Sequence, residues 1–476
     1  MNTLYIAIVT FVVLSTLALL CILYFRRRAA QSDDTASSFI AVERGSKPAS
    51  VQQVTSVPTS TARPCQLTPK KISVATLKKL VPIRYMENDL LSLIHKESEA
   101  VGANSILFRA EEPVESVIFL LQGTVAVETE GNRRYEIQAG TTKAHFPLSS
   151  GKKHSATGYA KSDVQLLRVP NKIMEMGAKT KRNNMLSVNF EHLNVPGELH
   201  LSGLVHSFFQ HLEKNDIQLP SLPDVSMKLR RAIRDDVSVA EAAKIVQLDP
   251  SIVAKLIQVA NSPIYLTANP VNRCQDAITR LGMVATRDLV TSISLHHVFK
   301  SNQPQIKEHL VSLWKHSITL SSICFVLAQK TKRIDPDKAL LAGLLSDIGV
   351  IPFLHFAENF PRELFDTNEL NAAIPYIRGA AGTMVLRQWD FPEDLAEIPH
   401  LAEDWYHDSG DDLTLSDIVV LAKLHSYIGT ARMSELPFVN TIPAYGKLGK
   451  VGLSPELSLN LLHDAQEQIN TAKNFF

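Results

Sequence analysis

Residues 340–349 read LLAGLLSDIG, and this stretch is the most informative one in the chain. Apart from Ser346 and Asp347 it consists of apolar residues and glycine. Asp335-Pro336 stands just upstream and is typical of a helix start, because aspartate caps the first turn and proline fits within it. The stretch therefore predicts an apolar helix that carries Ser346 and Asp347.

Further helix signals lie upstream of this stretch. LPSLPDV at residues 219–225 leads into a segment whose apolar residues recur at helical spacing. Ser238 with Glu241 matches the capping-box pattern, and Asp249-Pro250 is a second helix start of the aspartate–proline kind. These signals predict a series of helices that pack as antiparallel neighbours.

Five segments together resemble the HDOD domain, the HD-related output domain of bacterial signalling proteins. They follow the order and spacing of that family: LPSLPDV, LDPSIVAKLIQVANSPIY at 248–265, AITRLGMVATRDLV at 277–290, LWKHS at 313–317 and LLAGLLSDIG. The resemblance covers residues 208–407. It implies an all-helical fold of two lobes, the second derived from HD phosphohydrolases, in a family that generally lacks demonstrated catalysis and acts in signal transduction.

The HD metal-ligand pattern is only half present in this chain. By the resemblance, His316 matches the first histidine and Asp347 the central aspartate, whereas Ser346 replaces the central histidine. Lys423 falls near the last aspartate, although a shifted alignment could place Asp417 there. A serine hydroxyl is a weak ligand, and a lysine ammonium donates hydrogen bonds where a cation needs lone pairs. We therefore expect no catalytic residues and no bound metal.

Simpler roles are open for the two remaining ligand positions. His316 is expected to form a local hydrogen bond, and Asp347 to cap a neighbouring helix. A rearranged metal site stays open as an alternative, with His355 and His400 supplying imidazoles and Asp347 and Asp417 supplying carboxylates.

Residues 73–170 have a different pattern, in which β-favouring apolar residues alternate with polar ones and turns interrupt the runs. This predicts short antiparallel strands. Residues 105–129 resemble the cyclic-nucleotide-binding jelly roll, and VQLLRVP at 164–170 resembles its last strand before the closing helix. The resemblance implies a β domain of about a hundred residues.

The phosphate-binding part of that family is poorly matched. The family has a Gly-Glu pair and an arginine before Ala-Thr; here no Gly-Glu follows Gly140, and His154 stands in the arginine position. Imidazole cannot form the bidentate contact of a guanidinium with phosphate. A structural or partner-binding jelly roll is therefore favoured. Lys143, Lys152, Lys153 and His154 could still form an anion site, and clustered lysines on a solvated face are the alternative.

Residues 4–25 form an uncharged apolar run of 22 residues, which as a helix would reach about 33 Å and cross a membrane. Arg26, Arg27 and Arg28 follow it, so the positive-inside rule predicts an outside N-terminus and a cytoplasmic remainder. A cleaved signal peptide is the alternative, although its charges would precede the apolar run. The Ser-, Thr- and Pro-rich segment that follows predicts a flexible tether.

Charge and cysteine usage exclude several classes of partner and cofactor. A net charge of +1 gives no electrostatic case for nucleic acid, and no zinc-finger spacing occurs. The 4 cysteines lie at unpaired spacings, which fits a reducing compartment better than a disulfide framework. No cofactor is expected.

The sequence thus predicts a multidomain fold: a single transmembrane helix, a small β jelly roll and an all-α HDOD domain of two helical lobes. The predicted boundaries are an anchor at residues 1–28, a flexible linker at 29–70, a cyclic-nucleotide-binding-like β domain at 71–175, a connector at 176–207, the HDOD helical domain at 208–425 and a C-terminal helical extension at 426–476.

The predicted function is that of a non-catalytic signal-transduction or scaffold protein at the bacterial inner membrane. It would act through protein contacts of its HDOD domain, with self-association left open. Two rival functions remain: a cyclic-nucleotide sensor, and a residual metal-dependent HD phosphohydrolase.

Overall fold

The computed structural model describes residues 65–129, 133–186, 199, 202–214, 216–217, 221–265, 269–361, 365–448, 463–464 and 466. All of them belong to one compact unit. The predicted membrane helix at residues 4–25 lies outside these residues, as does most of the C-terminal extension after residue 448.

The β domain has two antiparallel sheets, as the alternating pattern predicted. The strands are β1 Glu99–Val101, β2 Ile106–Phe108, β3 Ser116–Gln122, β4 Thr124–Thr129, β5 Arg133–Gln138, β6 Ala156–Ala160 and β7 Val164–Pro170. One sheet has the order β1-β7-β3 and the other β2-β6-β4-β5.

Strand β3 shows how the two-residue period of a strand builds two apolar layers. Ile118 and Leu120 join the core between the sheets, whereas Val117 and Phe119 join a second cluster on the opposite face. Helices at either end of the domain complete this second cluster: α1 Val74–Leu77, α2 Asn88–Leu93 and α3 Asn171–Leu186. The last of these directly follows β7, which confirms the predicted final strand and closing helix.

The first helical lobe has its own apolar core. The Ser238–Glu241 capping box is present, and Asp249 accepts hydrogen bonds from the amides of Ser251 and Ile252, so both predicted helix starts are confirmed. The helices of this lobe are α5 Asp224–Arg234, α6 Val239–Val246, α7 Pro250–Ala260, α8 Cys274–Leu281 and α9 Met283–Leu295, and α4 Gly203–Glu213 precedes them.

The second helical lobe surrounds the largest apolar core of the described chain. Asp335 caps its second helix by accepting a hydrogen bond from the amide of Lys338, as predicted. Its helices are α10 Pro304–Thr331, α11 Pro336–Leu345, α12 Val350–Glu358, α13 Thr367–Gln388, α14 Glu393–Ala396, α15 Ile398–Leu401, α16 Leu415–Ser426 and α17 Pro443–Gly446.

Two helical spans in the described residues, Ile306–Thr331 and Pro336–Glu358, are long and apolar enough to cross a membrane. Their most apolar windows are 67% and 83% buried within the protein, as is usual for core helices. By themselves they are weak evidence for a membrane span.

Gly349 allows a close crossing between the start of α12 and α13. A Cβ atom at this position would overlap the backbone carbonyl of Arg378 and the amide of Gly382. Because all the atoms in the way belong to backbone, neither helix could yield without moving as a whole. This close contact holds Asp347, two residues earlier, next to α13.

We expect Gly349→Ala to lower the free energy of unfolding by about 3 kcal/mol, because the added methyl group forces the two helices apart. Urea denaturation followed by circular dichroism measures the change. Gly446→Ala is the matched control, since a Cβ there meets nothing within 4 Å. Equal stability of the two variants would contradict the close crossing.

Candidate functional site

The structure brings three of the four HD-motif positions together. His316 lies on α10, Asp347 in the turn between α11 and α12, and Lys423 on α16. Ser346 is fully buried, and its hydroxyl donates to the carbonyl of Gly343, 3.0 Å away in its own helix. The motif positions therefore converge in space without a metal-ligating side chain at residue 346.

Lys423 makes the closest contact with Asp347. Its ammonium donates a hydrogen bond of 2.6 Å from Nζ to Oδ1 of Asp347. The lysine side chain is 0% exposed and the aspartate side chain 5%. Asp347 is therefore the partner of a buried cation and not a helix cap, which corrects the simpler expectation for this residue.

A second carboxylate and a second cation complete the arrangement. Arg378 lies 2.7 Å from Oε1 of Glu403 and 3.5 Å from Oδ1 of Asp347, and Lys423 Nζ is 3.7 Å from Glu403. All four side chains are at most 12% exposed. We call Asp347, Glu403, Arg378 and Lys423 the ion cluster. Its two negative charges are matched by two positive ones.

Two further residues join the ion cluster through Glu403. Arg432 Nη2 lies 2.7 Å from Oε2 of Glu403, and the hydroxyl of Tyr427 donates to Oε1 at 3.1 Å. Arg432 also donates to the Tyr427 hydroxyl at 2.6 Å. Every oxygen of the Glu403 carboxylate thus has a donor, as a buried charge requires.

The charges determine the protonation of the cluster. Burial acts to raise the pKa of Asp347, but Lys423 and Arg378 outweigh it and hold that pKa below the usual value. The pKa of Glu403 is held well below its usual value against burial by Arg378 and Lys423. Burial, with Arg378 nearby, lowers the pKa of Lys423. Paired carboxylates of lowered pKa are weak general bases.

His316 lies at the edge of the cluster. Its Nε2 atom is 3.8 Å from Oδ2 of Asp347, beyond hydrogen-bond distance, and its ring stacks on Tyr427 at 5.6 Å between centroids. Burial lowers its pKa, against the opposing effect of Asp347, so the imidazole is neutral at neutral pH. Nε2 makes no hydrogen bond, so the local bond expected of the His316 ring is not formed through that atom.

The residues present do not fit a divalent metal ion. A cation at this position would lie beside the charged groups of Lys423 and Arg378, and Coulomb repulsion in a buried site is poorly screened. Within the described residues, no group of three or more His, Cys, Asp and Glu side chains is placed to hold a metal.

The rearranged metal site is not assembled. Asp417 caps α16 through Thr414 and lies 3.1 Å from Lys447 Nζ. His355 pairs with Glu358 at 3.1 Å. A Cβ at Gly379 would lie 2.9 Å from Nδ1 of His400, which places that ring against α13. The three residues thus contact three different partners: Asp417 contacts Lys447, His355 contacts Glu358, and His400 lies against Gly379.

Sequence reasoning missed Arg378, Glu403, Tyr427 and Arg432. One signal was available: Arg378 is the single charge in NAAIPYIRGAAG, residues 371–382. A lone cation in a run of small and apolar residues indicates a buried ion pair, because burial of an unpaired charge is too costly. Nothing local to Glu403 distinguishes it from the other acidic residues of that region.

The suggested anion-binding residues do not converge. His154 is buried, its Nδ1 lies 2.9 Å from the Ser149 hydroxyl, and its ring stacks on Phe108 at 4.8 Å. Burial lowers the pKa of His154, so it carries no charge for a phosphate at neutral pH.

The three lysines of that set each have a different partner. Lys143 donates to the carbonyl of Met433 at 2.9 Å, and Lys153 lies 3.3 Å from Glu111. Lys152 forms an ion pair with Asp411. The lysine cluster of the sequence is therefore divided among separate contacts.

Comparisons with known proteins agree with this architecture. The HDOD domain model matches residues 219–404, and the cyclic nucleotide-binding domain model matches residues 99–179. An uncharacterized protein of Treponema pallidum (strain Nichols) is 22% identical over 212 residues, which are 39% of this chain and 39% of that protein. The chain thus matches well under half of that relative's length.

Solved structures are also similar. A provisionally named metal-dependent phosphohydrolase from Shewanella amazonensis SB2B is 26% identical, with a TM-score of 0.48 over 56% of this chain and 98% of the other. An HDOD domain protein of unknown function from Geobacter sulfurreducens is 19% identical, with a TM-score of 0.42 over 57% of this chain and 97% of the other.

We expect Lys423→Met to lower the free energy of unfolding by about 3 to 5 kcal/mol, because it leaves a buried carboxylate short of one partner. The double variant Lys423→Met, Asp347→Asn should lose clearly less free energy of unfolding than the sum of the losses of the two single variants. Chemical denaturation of all three measures this coupling.

The control for this cycle is Lys338→Met. Lys338 pairs with Asp394, but the two side chains are 32% and 50% exposed, so its loss should cost at most about 1 kcal/mol. Strict additivity at Lys423 and Asp347 would show that the two residues do not interact in solution.

Proposed function

Because the chain carries an HDOD domain behind a cyclic nucleotide-binding domain, we propose that it is a membrane-tethered signal-transduction protein without catalytic activity. The helical domain acts through contacts with protein partners. Neither nucleic acid nor a cofactor takes part, and self-association is compatible with this role.

One observation carries the proposal: the Lys423 ammonium binds Asp347 at 2.6 Å inside a buried, charge-balanced cluster. A hydrolytic metal would have to displace this ammonium and leave a second cation, Arg378, beside it. Displacement of Lys423 from Asp347 leaves a buried ammonium without its carboxylate, at a cost of about 3 to 5 kcal/mol. This weighs against the residual phosphohydrolase.

The ion cluster also supports a role as a scaffold. It ties α13 and α16 to the turn after α11, with Glu403 held from the segment after α15. These helices then keep a fixed arrangement without a metal. A fixed outer surface favours docking, because less conformational freedom is lost when a partner binds.

The residues suggested for a phosphate site weigh against the rival role of cyclic-nucleotide sensor. A cyclic phosphate needs charged donors, and His154 is buried with a lowered pKa. Lys143 and Lys152 are engaged with residues beyond position 410 of the same chain. We therefore assign the β domain a structural and protein-binding role.

The apolar run at residues 4–25, followed by Arg26, Arg27 and Arg28, supports an anchor in the inner membrane of a bacterium. The N-terminus would lie outside and both domains in the cytoplasm. The tether that follows would let the domains reach partners at some distance from the bilayer.

Protein purified from cells grown with added iron and manganese should hold far less than one metal ion per chain, because Lys423 already occupies Asp347 and Arg378 lies beside it. Plasma emission spectrometry of the full chain measures this. Hydrolysis of bis(p-nitrophenyl) phosphate should equal that of the Asp347→Ala variant. Near-stoichiometric metal, or hydrolysis that Asp347→Ala abolishes, would overturn the non-catalytic assignment.

A fluorescent protein fused after Phe476 should be fluorescent and sediment with membranes, because the anchor keeps the domains in the cytoplasm. Alkaline phosphatase fused at the same position should be inactive. Deletion of residues 1–28 is the control and should move the fusion to the soluble fraction. An active phosphatase fusion would refute this orientation.

A further inference from the structure

The segment at residues 432–441, called the strap below, lies against the β domain. Three side chains of the β domain donate to its backbone carbonyls: Lys143 to Met433 at 2.9 Å and to Leu436, Ser150 to Thr441, and Ser155 to Asn440. These side chains follow β5 or precede β6, about 300 residues earlier in the chain. Together they bind the backbone of the strap along its length.

Phe438 anchors the strap in the β domain. Its ring lies 4.2 Å from the ring of Tyr135, and Lys143 Nζ is 4.6 Å from its centroid. Phe438 also packs against the apolar core between the two sheets. One aromatic anchor surrounded by hydrogen bonds is the usual pattern of a binding hot spot.

Asn440 adds a contact that depends on the side chain. Its Nδ2 atom donates to the Tyr135 hydroxyl at 3.0 Å, while its backbone carbonyl accepts from Ser155. The surface therefore recognises three features at once: backbone carbonyls, an aromatic ring and, two residues later, an amide. These are the chemical features of a peptide ligand.

The other end of the strap lies at the ion cluster. Arg432 is adjacent to Met433 and lies 2.7 Å from Glu403, with a further bond of 2.6 Å to Tyr427. Because the Cα atoms of adjacent residues are about 3.8 Å apart, Met433 cannot leave Lys143 without displacing Arg432 as well. The strap thus joins the β domain to the ion cluster.

We propose that this face of the β domain, formed by Tyr135, Lys143, Ser150 and Ser155, is a peptide-binding surface whose ligand is the chain's own strap. Docking of the strap holds Arg432 against Glu403. Occupancy of the surface is thereby communicated to the ion cluster. This inference goes beyond the proposed function and holds whether or not the helical domain is catalytic.

The test is amide hydrogen exchange of the full chain, measured by mass spectrometry. Phe438→Ala removes the anchor and should speed exchange at least tenfold in residues 433–442, and also in residues 427–432. Met433→Ala is the matched control: Met433 is 47% exposed, and Lys143 binds its backbone carbonyl, which the substitution keeps. The control should exchange like the wild type.

A synthetic peptide of residues 430–444 extends the test to binding. Added to the Phe438→Ala chain, it should restore slow exchange around Tyr135 and Ser150–Ser155, and the same peptide with Phe438→Ala should not. Circular dichroism establishes that the variant chain is folded.

Three results would overturn the inference. Equal exchange rates of Phe438→Ala and Met433→Ala in the strap would exclude docking through Phe438. Faster exchange confined to 433–442 would exclude communication with the ion cluster. Failure of the peptide to protect the folded Phe438→Ala chain would show that the surface does not recognise a peptide.

Discussion

The buried ammonium of Lys423 is the constraint on which the helical domain depends. A lysine that is 0% exposed must have a carboxylate within reach, and Asp347 supplies it at 2.6 Å. Two carboxylates then require a second cation, which Arg378 provides. The helices that carry these residues must therefore meet at one point, and the close crossing at Gly349 permits it.

The same constraint accounts for the relation between fold and chemistry. The HDOD fold directs helices toward one buried point, and a charge there has to be balanced by whatever is available. In this chain the balancing positive charges belong to the side chains of Lys423 and Arg378. The strap runs from Arg432, which contacts Glu403, to side chains of the β domain that bind its backbone carbonyls.

Much of the fold could be predicted from local patterns. The helix starts at Ser238, Asp249 and Asp335 and the final strand at Val164–Pro170 depend on residues a few positions apart, and all are confirmed. The pairs formed by Glu403 and by Phe438 could not be predicted. Their partners lie 20 to about 300 residues away, where neither periodicity nor capping carries information, because such pairs are fixed only by the packing of whole elements.

In this structure a side-chain ammonium, and not a metal ion, neutralises Asp347. Crystals of the full chain, grown after expression with iron and manganese, allow a direct measurement by diffraction at the absorption edges of both metals. We expect electron density for the Lys423 side chain up to Asp347 and no anomalous peak between Asp347 and His316. An anomalous peak there, with Lys423 displaced, would contradict it.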